Sequence, residues 1–296
     1  MQGQEDINNH AMINTKKINV NDILLMKQEK RKISVLTAYD YHTALLCDKA
    51  GVDILLVGDS AGMVMLGYPN TIPVNMEEML LFSRSVSRGT KRAMIVGDMP
   101  FGSYQSNVQE GVENAIHFIK AGCDAVKLEG GIEVIDTIKA IINAGIPVMG
   151  HIGLKPQTSI LWSGYRLQAK TKDSALKLIS DAKALVQTGV FSIVLEMVAS
   201  EVAELISKNI SVPTIGIGSG SSCDGQVLVL HDLLGIYEDI KPKFVKRYAE
   251  LAKLIFEAIL QYNNDVRYGR FPEEQNVFHM SQDEIKELYT ALENGF

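Results

Sequence analysis

The sequence predicts a closed (β/α)₈ barrel, a TIM barrel of the α/β class, and three observations lead to that prediction. Eight short apolar segments rich in β-branched residues alternate with amphipathic segments. Such alternation is typical of a parallel sheet whose two faces are both covered by other parts of the chain. The eight units span about 250 residues, the usual length of this barrel, and polar residues follow several strands at the end where barrels carry their sites.

The predicted strands are apolar and end at glycine or at a polar residue. They are Ile33–Thr37, Asp53–Val57, Met94–Gly97, Cys123–Glu129, Pro147–Gly150, Ser192–Leu195, Pro213–Gly218 and Gln226–Leu230. The link from Gly218 to Gly225 is too short for a full helix, so we expect the regular alternation to fail between the last two strands.

The predicted helices lie between these strands and follow the last one. They are Val20–Lys30, residues 42–50, Asn75–Gly89, Ser106–Gly122, Ile132–Ala144, Asp173–Thr188, a short helix from Ser200, residues 243–261, and a terminal helix from Ser281. Asn75 and Glu78 have the spacing of a capping box. The apolar stripe at Val112, Ala115 and Ile119 has the period of a helix packed on one side.

The pattern divides the chain into three parts. Residues 1–17 form a polar stretch that we expect to be a flexible N-terminal extension. Residues 18–262 form the barrel, and residues 263–296 form a C-terminal extension with a terminal helix.

Composition excludes several classes of function. The net charge is −6 with no block of cations, which argues against nucleic acid as a partner. Cys47, Cys123 and Cys223 lie far apart without CxxC spacing, so we expect reduced thiols in a cytoplasmic protein. No apolar run approaches the roughly 20 residues of a membrane span, so no membrane partner is expected.

An open, doubly wound sheet is the main alternative fold. It is disfavoured because no GxGxxG motif follows the first strand. Polar residues also end at least five of the predicted strands, whereas an open sheet would concentrate them near one switch point.

The polar residues at the strand ends are the candidate site. They are Asp59, Asp98, Lys127, Glu129, His151 and Glu196. Lys127 and Glu129 are two apart, so on a strand they point the same way. Each residue alone has an ordinary structural explanation: a helix cap for an Asp, a packed imidazole for His151, an ion pair for Lys127. Their recurrence at the same position of five strands favours a shared functional site at the barrel mouth.

This set of side chains indicates metal-assisted chemistry. Four carboxylates at close range are costly unless a cation offsets them, and oxygen ligands without thiolates favour Mg²⁺. Lys127 would then meet negative charge that develops on a substrate. Glu196 follows the apolar Val194 and Leu195, and a carboxylate in apolar surroundings has a raised pKa that suits a general base.

The glycine-rich stretch Gly216–Gly220 has two readings. After the seventh strand of a barrel it resembles a phosphate-binding loop. No helix N-terminus evidently follows, so glycines that merely permit a tight backbone are the favoured explanation.

Five motifs together resemble the ketopantoate hydroxymethyltransferase family. They are Val57–Val64 (VGDSAGMV), Gly97–Phe101 (GDMPF), Ala125–Gly130 (AVKLEG), Gly150–Gln157 (GHIGLKPQ) and Asp224–Val229 (DGQVLV). The likeness runs from about Val20 to Pro272 in the order and spacing of the family.

The resemblance implies a TIM barrel of the phosphoenolpyruvate/pyruvate type and a transferase. The implied reaction moves a one-carbon unit from 5,10-methylenetetrahydrofolate to 3-methyl-2-oxobutanoate through a Mg-stabilised enolate. The products are 2-dehydropantoate and tetrahydrofolate, in the biosynthesis of pantothenate and coenzyme A. A homo-oligomer, a decamer, is also implied.

The resemblance also assigns roles, residue by residue. It implies that Asp59 and Asp98 hold Mg²⁺, with Glu129 as a further ligand or close neighbour. Asp59, Ser60, Asp98 and Lys127 would bind the 2-oxo acid, and His151 would line that substrate site. Glu196 would be the proton acceptor.

Two other functions remain as alternatives. A C–C lyase of the related phosphoenolpyruvate and isocitrate lyase group would also use Mg²⁺ and 2-oxo acids, but it would use a loop cysteine that we do not find here. A non-catalytic ligand-binding barrel is disfavoured because acid, lysine and base occur together.

Overall fold

The computed structural model describes residues 16–158, 166–237 and 242–295. Its centre is a closed barrel of eight parallel strands in sequential order, with β1 hydrogen-bonded to β8. The strands are β1 Ile33–Thr37, β2 Ile54–Val57, β3 Met94–Asp98, β4 Ala125–Glu129, β5 Val148–Gly153, β6 Ser192–Glu196, β7 Thr214–Ile217 and β8 Gly225–Leu228. The predicted (β/α)₈ barrel is confirmed, and the open sheet is excluded.

Helices follow every strand except β7, and one helix precedes β1. They are α1 Val20–Gln28, α2 Tyr41–Lys49, α3 Ala61–Val64, α4 Met76–Gly89, α5 Val108–Lys120, α6 Ile135–Asn143, α7 Lys172–Thr188, α8 Ser200–Asn209 and α9 Leu230–Leu234. Residues 218–224 contain no helix, as their length predicted.

The ends of the helices follow from local sequence. The capping box of Asn75 and Glu78 is confirmed at the start of α4. The predicted start of α5 at Ser106 is wrong by one residue, because the side chain of Asn107 accepts from the Glu110 N–H and forms the N-cap. Gly189 ends α7 in the left-handed conformation, with φ of 103°.

The core has two layers separated by the barrel wall. Outward-facing strand residues such as Leu55, Val126 and Leu128 pack with the surrounding helices. Inward-facing residues form a second cluster with Ile23 and Met26 of α1. Because α1 thereby closes the N-terminal end of the barrel, the interior opens at the C-terminal end of the strands.

The predicted helix over residues 243–261 is wrong in its first part. The chain is helical only from α10, Leu251–Arg267, and α11 is Gln282–Glu293. Before α10, Val245 N–H bonds to the Pro242 carbonyl in a turn, and a side chain at Gly218 would come within 2.9 Å of the Phe244 ring. Packing of Phe244 onto the glycine loop therefore overrides the helical pattern.

The chain divides into two compact units, Met1–Tyr248 and Ala249–Phe296. Of the predicted extension over residues 1–17, all but Lys16 and Lys17 lie outside the described residues. The domain boundaries after residues 17 and 262 stay a prediction. Among the described residues, no helix combines the length and apolar character needed to cross a membrane.

Candidate active site

A cavity of about 330 Å³ lies at the C-terminal end of the barrel strands. Every residue of the predicted site lines it: Asp59, Ser60, Asp98, Lys127, Glu129, His151 and Glu196. The convergence expected from the strand ends is therefore seen, while the individual roles stay predictions. Apolar side chains of Leu56, Val194, Ile217 and Val227 form part of the remaining wall.

Lys127 and Asp98 form a buried ion pair. They are register partners on β4 and β3, and Lys127 Nζ lies 2.6 Å from Asp98 Oδ1. Burial alone would lower the pKa of Lys127, but the carboxylates of Asp98, Glu129 and Asp59 outweigh burial and raise it. Lys127 is thus a fixed positive charge at the floor of the cavity.

Asp59 lies beside this pair, two residues beyond the end of β2. Its backbone N–H donates to Asp98 Oδ2 at 3.2 Å, and its own Oδ2 accepts from Gln157 Nε2 at 3.0 Å. Burial, and then the nearby Asp98 carboxylate, raises the pKa of Asp59 to about 7. A positive charge at this point would therefore be strongly favoured.

His151 stands between two glutamates at the other side of the cavity. Its Nδ1 is 3.6 Å from Glu129 Oε1 and its Nε2 is 3.2 Å from Glu196 Oε2. Burial, and next the Lys127 charge, lowers the pKa of His151 well below its usual range, so the imidazole is neutral. Burial raises the pKa of Glu196 to about 8 and that of Glu129 well above its ordinary value.

Several polar atoms of Glu129 and His151 lack hydrogen-bond partners among the described residues. They are Glu129 Oε1 and both ring nitrogens of His151. The His151–Glu196 approach is close, yet its angles do not make a hydrogen bond. Buried polar groups are normally satisfied, so these atoms mark a place where substrate or water completes the network.

The donor set fits a hard divalent cation. Within the described residues no three acidic, histidine or cysteine side chains converge tightly enough to enclose a metal alone. Magnesium commonly takes one or two carboxylates and completes its shell with water or substrate oxygens. The crowded Asp59 and Asp98 offer that number, and the excess of carboxylates over Lys127 offers the charge.

Ser60 follows Asp59 at the turn into α3. Its Oγ lies 2.9 Å from the hydroxyl of Tyr39, a buried residue just after β1. A side chain at Gly58 would come within 2.9 Å of Ser60 Oγ, so glycine at this position leaves the hydroxyl its place. Ser60 is thus held at the cavity wall next to Asp59.

Several polar residues in or beside the cavity were not predicted from the sequence, and Gln157, Tyr104 and Thr71 are among them. Gln157 and Tyr104 are buried and bonded to each other, with Tyr104 Oη 2.7 Å from Gln157 Oε1. Thr71 lines the cavity, and its Oγ1 has no hydrogen-bond partner among the described residues. The only available signal was that Gln157 lies within the Gly150–Gln157 motif.

The glycine-rich stretch after β7 has a structural role. Ser219 Oγ donates to the Leu195 carbonyl at 2.7 Å and accepts from the Val198 N–H at 3.0 Å. Gly218 and Gly220 have φ of 65° and 86° and closely approach Phe244 and Ser200. These contacts favour the tight-backbone explanation over a phosphate-binding loop.

Two solved structures with a similar fold are remote from this chain in sequence. A phosphonopyruvate hydrolase in complex with oxalate and Mg²⁺ has a TM-score of 0.56 at 13% identity, covering 93% of this chain and 96% of that one. A 2,3-dimethylmalate lyase, a member of the PEP mutase/isocitrate lyase superfamily, has a TM-score of 0.55 at 12% identity, covering 92% and 98%. These likenesses show that the chain shares the barrel fold of those proteins.

Sequence relatives are much closer. A 3-methyl-2-oxobutanoate hydroxymethyltransferase of Nitrosopumilus maritimus is 58% identical over 269 residues, which are 91% of this chain and 96% of the relative. One of Carboxydothermus hydrogenoformans is 51% identical over 274 residues, 92% and 99% of the two chains. The sequence model of the ketopantoate hydroxymethyltransferase family matches residues 17–274. The resemblance inferred from the motifs is confirmed, and the chain belongs to the ketopantoate hydroxymethyltransferase family of enzymes.

Proposed function

We propose that this enzyme transfers a one-carbon unit from 5,10-methylenetetrahydrofolate to 3-methyl-2-oxobutanoate, giving 2-dehydropantoate and tetrahydrofolate on the route to pantothenate. Family membership supports a hydroxymethyl transfer to this 2-oxo acid. The observation that carries the proposal is a carboxylate of raised pKa, Glu196, facing a charged cluster across one cavity with apolar walls.

The charged cluster would bind the polar end of the 2-oxo acid. Asp59 and Asp98 would hold Mg²⁺, which when bound supplies Lewis-acid polarisation of the 2-oxo group. Lys127 stays protonated beside Asp98 and would attract the negative charge that develops on the substrate oxygens. Ser60, held by Tyr39, would add a hydroxyl donor to the carboxylate of the acid.

Glu196 would act as the general base. A base works best when its pKa is near the pH of the reaction, and the pKa of Glu196 is raised to about 8. Glu196 would take the C3 proton of the 2-oxo acid to give an enolate. Water would hydrolyse the methylene bridge of the folate, so that both C–N bonds break, the nitrogens take up protons and the carbon leaves as formaldehyde. The enolate carbon would then form a C–C bond to the formaldehyde carbon, and the formaldehyde oxygen, which comes from water, would take up a proton and become the new hydroxyl group.

Neutral His151 and the apolar wall would protect this step. His151 Nε2 lies 3.2 Å from Glu196 Oε2, and because the imidazole is neutral it would fill this side of the cavity without adding a charge. Leu56, Val194 and Ile217 line the cavity and would exclude water that could reprotonate the enolate.

A direct assay tests the function. Purified protein is incubated with 5,10-methylenetetrahydrofolate and 3-methyl-2-oxobutanoate, with Mg²⁺ or with a chelator, and 2-dehydropantoate is measured by mass spectrometry. We expect product that depends on both substrates and on the metal. Turnover that is equally fast with the chelator would contradict the proposed metal, and no product under any condition would contradict the function.

A C–C lyase remains the second candidate, because the barrel is similar in fold to a lyase of that superfamily. The described cysteines are all buried and none lines the cavity, which disfavours a lyase that uses a loop thiol. Cleavage of 2-oxo acid aldols without folate, faster than hydroxymethyl transfer, would favour the lyase instead.

The homo-oligomer, a decamer by resemblance, stays a proposal, and apolar surface supports it. Helix α10 exposes Leu254, Phe256, Ile259 and Tyr262 to solvent, each by more than half of its surface. Contiguous apolar surface of this kind usually marks a protein interface. Light scattering coupled to gel filtration tests it, and a monomer at micromolar concentration would contradict it. The cytoplasmic location likewise stays a proposal.

A further inference from the structure

Gln157 is an uncharged side chain enclosed by the charged cluster. It lies in the segment after β5 and is 0% exposed. The functional roles proposed above leave it unused, although it hydrogen-bonds to two members of the site, Asp59 and Glu129. A fully buried amide among carboxylates requires hydrogen-bond partners for each of its polar atoms.

Every polar group of this residue reaches a different part of the barrel rim. Its Nε2 donates to Asp59 Oδ2 at 3.0 Å and to the Met99 carbonyl at 2.9 Å. Its backbone N–H donates to Glu129 Oε2 at 3.0 Å. One residue thus joins the segments that follow β2 and β3 to the end of β4.

The orientation of the amide is determined by its neighbours. Tyr104 Oη accepts the Glu129 N–H at 3.1 Å, so its own proton is available for Gln157 Oε1 at 2.7 Å. A flipped amide would set its oxygen against the Met99 carbonyl and the Asp59 carboxylate, which are both acceptors. Tyr104 therefore keeps the NH₂ group of Gln157 directed at Asp59.

This contact leaves the two oxygens of Asp59 unequal. Oδ2 is held by Gln157, whereas Oδ1 accepts no hydrogen bond within the described parts of the chain. Asp59 lines the cavity, so Oδ1 is the oxygen available to a cation. Carboxylates that bind metals are commonly held in this way by a second hydrogen bond, and loss of that bond typically weakens metal binding about 10- to 100-fold.

We infer that Gln157 is a positioning residue for divalent cation binding: it fixes the Asp59 carboxylate and the Glu129 carboxylate, and Tyr104 fixes Gln157. The inference rests on the proposed role of Asp59 as a metal ligand. Gln157 touches neither the substrate nor the cation, so it acts only through the two carboxylates.

The experiment measures Mn²⁺ binding by electron paramagnetic resonance, with no substrate present. Gln157→Met keeps the length of the side chain and removes both the donor and the acceptor. We expect its dissociation constant for Mn²⁺ to rise at least tenfold, and the Mg²⁺ concentration for half-maximal activity to rise in parallel. Gln105→Ala is the matched control, since exposed Gln105 contacts Gln157 Oε1 at 3.3 Å but not Asp59; it should stay within about twofold of wild type.

The outcomes separate this inference from the proposed function. A folded Gln157→Met protein that binds Mn²⁺ within about twofold of wild type would overturn the inference and leave the function standing. Wild-type protein that binds no Mn²⁺ would contradict the metal assignment itself, and the inference with it. If Gln157→Met does not fold, Tyr104→Phe decides, because it removes the hydroxyl that donates to Gln157 Oε1. It should also weaken Mn²⁺ binding, and binding within about twofold of wild type would overturn the inference.

Discussion

The two ends of the barrel differ in how the charges of their acidic side chains are compensated. At the N-terminal end Asp53 and Asp224 are each paired with a cation and with a backbone donor. Asp53 lies 3.0 Å from Arg92, and Asp224 lies 2.7 Å from Lys27 while it also accepts the Thr214 N–H. These acids precede β2 and β8, so they join the start of one strand to its neighbours.

At the C-terminal end, carboxylates outnumber cations among the strand-end residues. Asp59, Asp98, Glu129 and Glu196 share one cavity with Lys127 as the cation among its strand-end residues. Burial raises the pKa of Asp59 to about 7 and that of Glu196 to about 8, which means that the folded protein holds these carboxylates in unfavourable surroundings.

The difference separates stability from chemistry. At the N-terminal end, the charges of Asp53 and Asp224 are compensated by cations of the protein itself. At the C-terminal end, the excess carboxylate charge would be compensated by a bound cation and by the substrate. A barrel built in this way should lose stability through changes at one end and activity through changes at the other.

Glu196→Gln should give the largest effect. The amide keeps the shape of the side chain but cannot accept the C3 proton, so turnover should fall roughly 10²- to 10⁴-fold. The free energy of unfolding should stay equal or rise, because the substitution removes a carboxyl group whose charged form is disfavoured by burial. Steady-state kinetics and urea unfolding check both. A variant that loses stability in proportion to its activity would break the comparison between the two ends.

Asp98→Asn should chiefly weaken the cation site. The substitution removes a proposed ligand charge and leaves Lys127 without its ion-pair partner. We expect Mg²⁺ affinity to fall at least roughly tenfold, measured by calorimetry. Asp53→Asn is the matched change at the opposite end and should leave Mg²⁺ affinity unaltered. Equal losses in both variants would mean that the ends are not distinct.

Asp224→Ala should reduce stability with little effect on catalysis. It breaks the pair with Lys27 and leaves the Thr214 N–H without its acceptor. Loss of such hydrogen bonds to a charged group costs about 1.5–3 kcal/mol. Urea unfolding should show that loss while kcat stays within about twofold of wild type. A large drop in kcat would contradict the separation.

The last expected effect is on the pH dependence of stability. The pKa of Glu196 in the folded protein, about 8, is above its unfolded value, so its contribution to stability is full in acid and is lost as the pH rises towards 8. Each such group lowers the unfolding free energy by up to about 1.4 kcal/mol per pH unit. In metal-free protein, Glu196→Gln should therefore flatten the fall between about pH 5 and 8. An unchanged slope would contradict the raised pKa.

The sequence was sufficient for the barrel and for the charged residues of the site. Strands that are buried on both faces can be recognised in the sequence as short apolar runs. A closed barrel brings the ends of these strands together, however far apart they lie in the chain. Asp98 and Lys127 are 29 residues apart and still become register partners. The parallel order of the strands makes this placement predictable.

The sequence was not sufficient where distant packing decides. Gln157 has no charge to draw attention, and its role depends on Asp59, 98 residues earlier in the chain. The segment before α10 has a helical pattern, yet Phe244 packs at Gly218 and the helix begins only at Leu251. In both cases the deciding partner is a contact that local pattern does not encode.

The most direct test of the account is exchange of the C3 hydrogen of 3-methyl-2-oxobutanoate for deuterium, followed by nuclear magnetic resonance in D₂O with Mg²⁺ and without folate. We predict that wild-type protein catalyses the exchange and that Glu196→Gln, which should still bind the 2-oxo acid, does not. Exchange by the variant at the wild-type rate would contradict the assignment of Glu196 as the base.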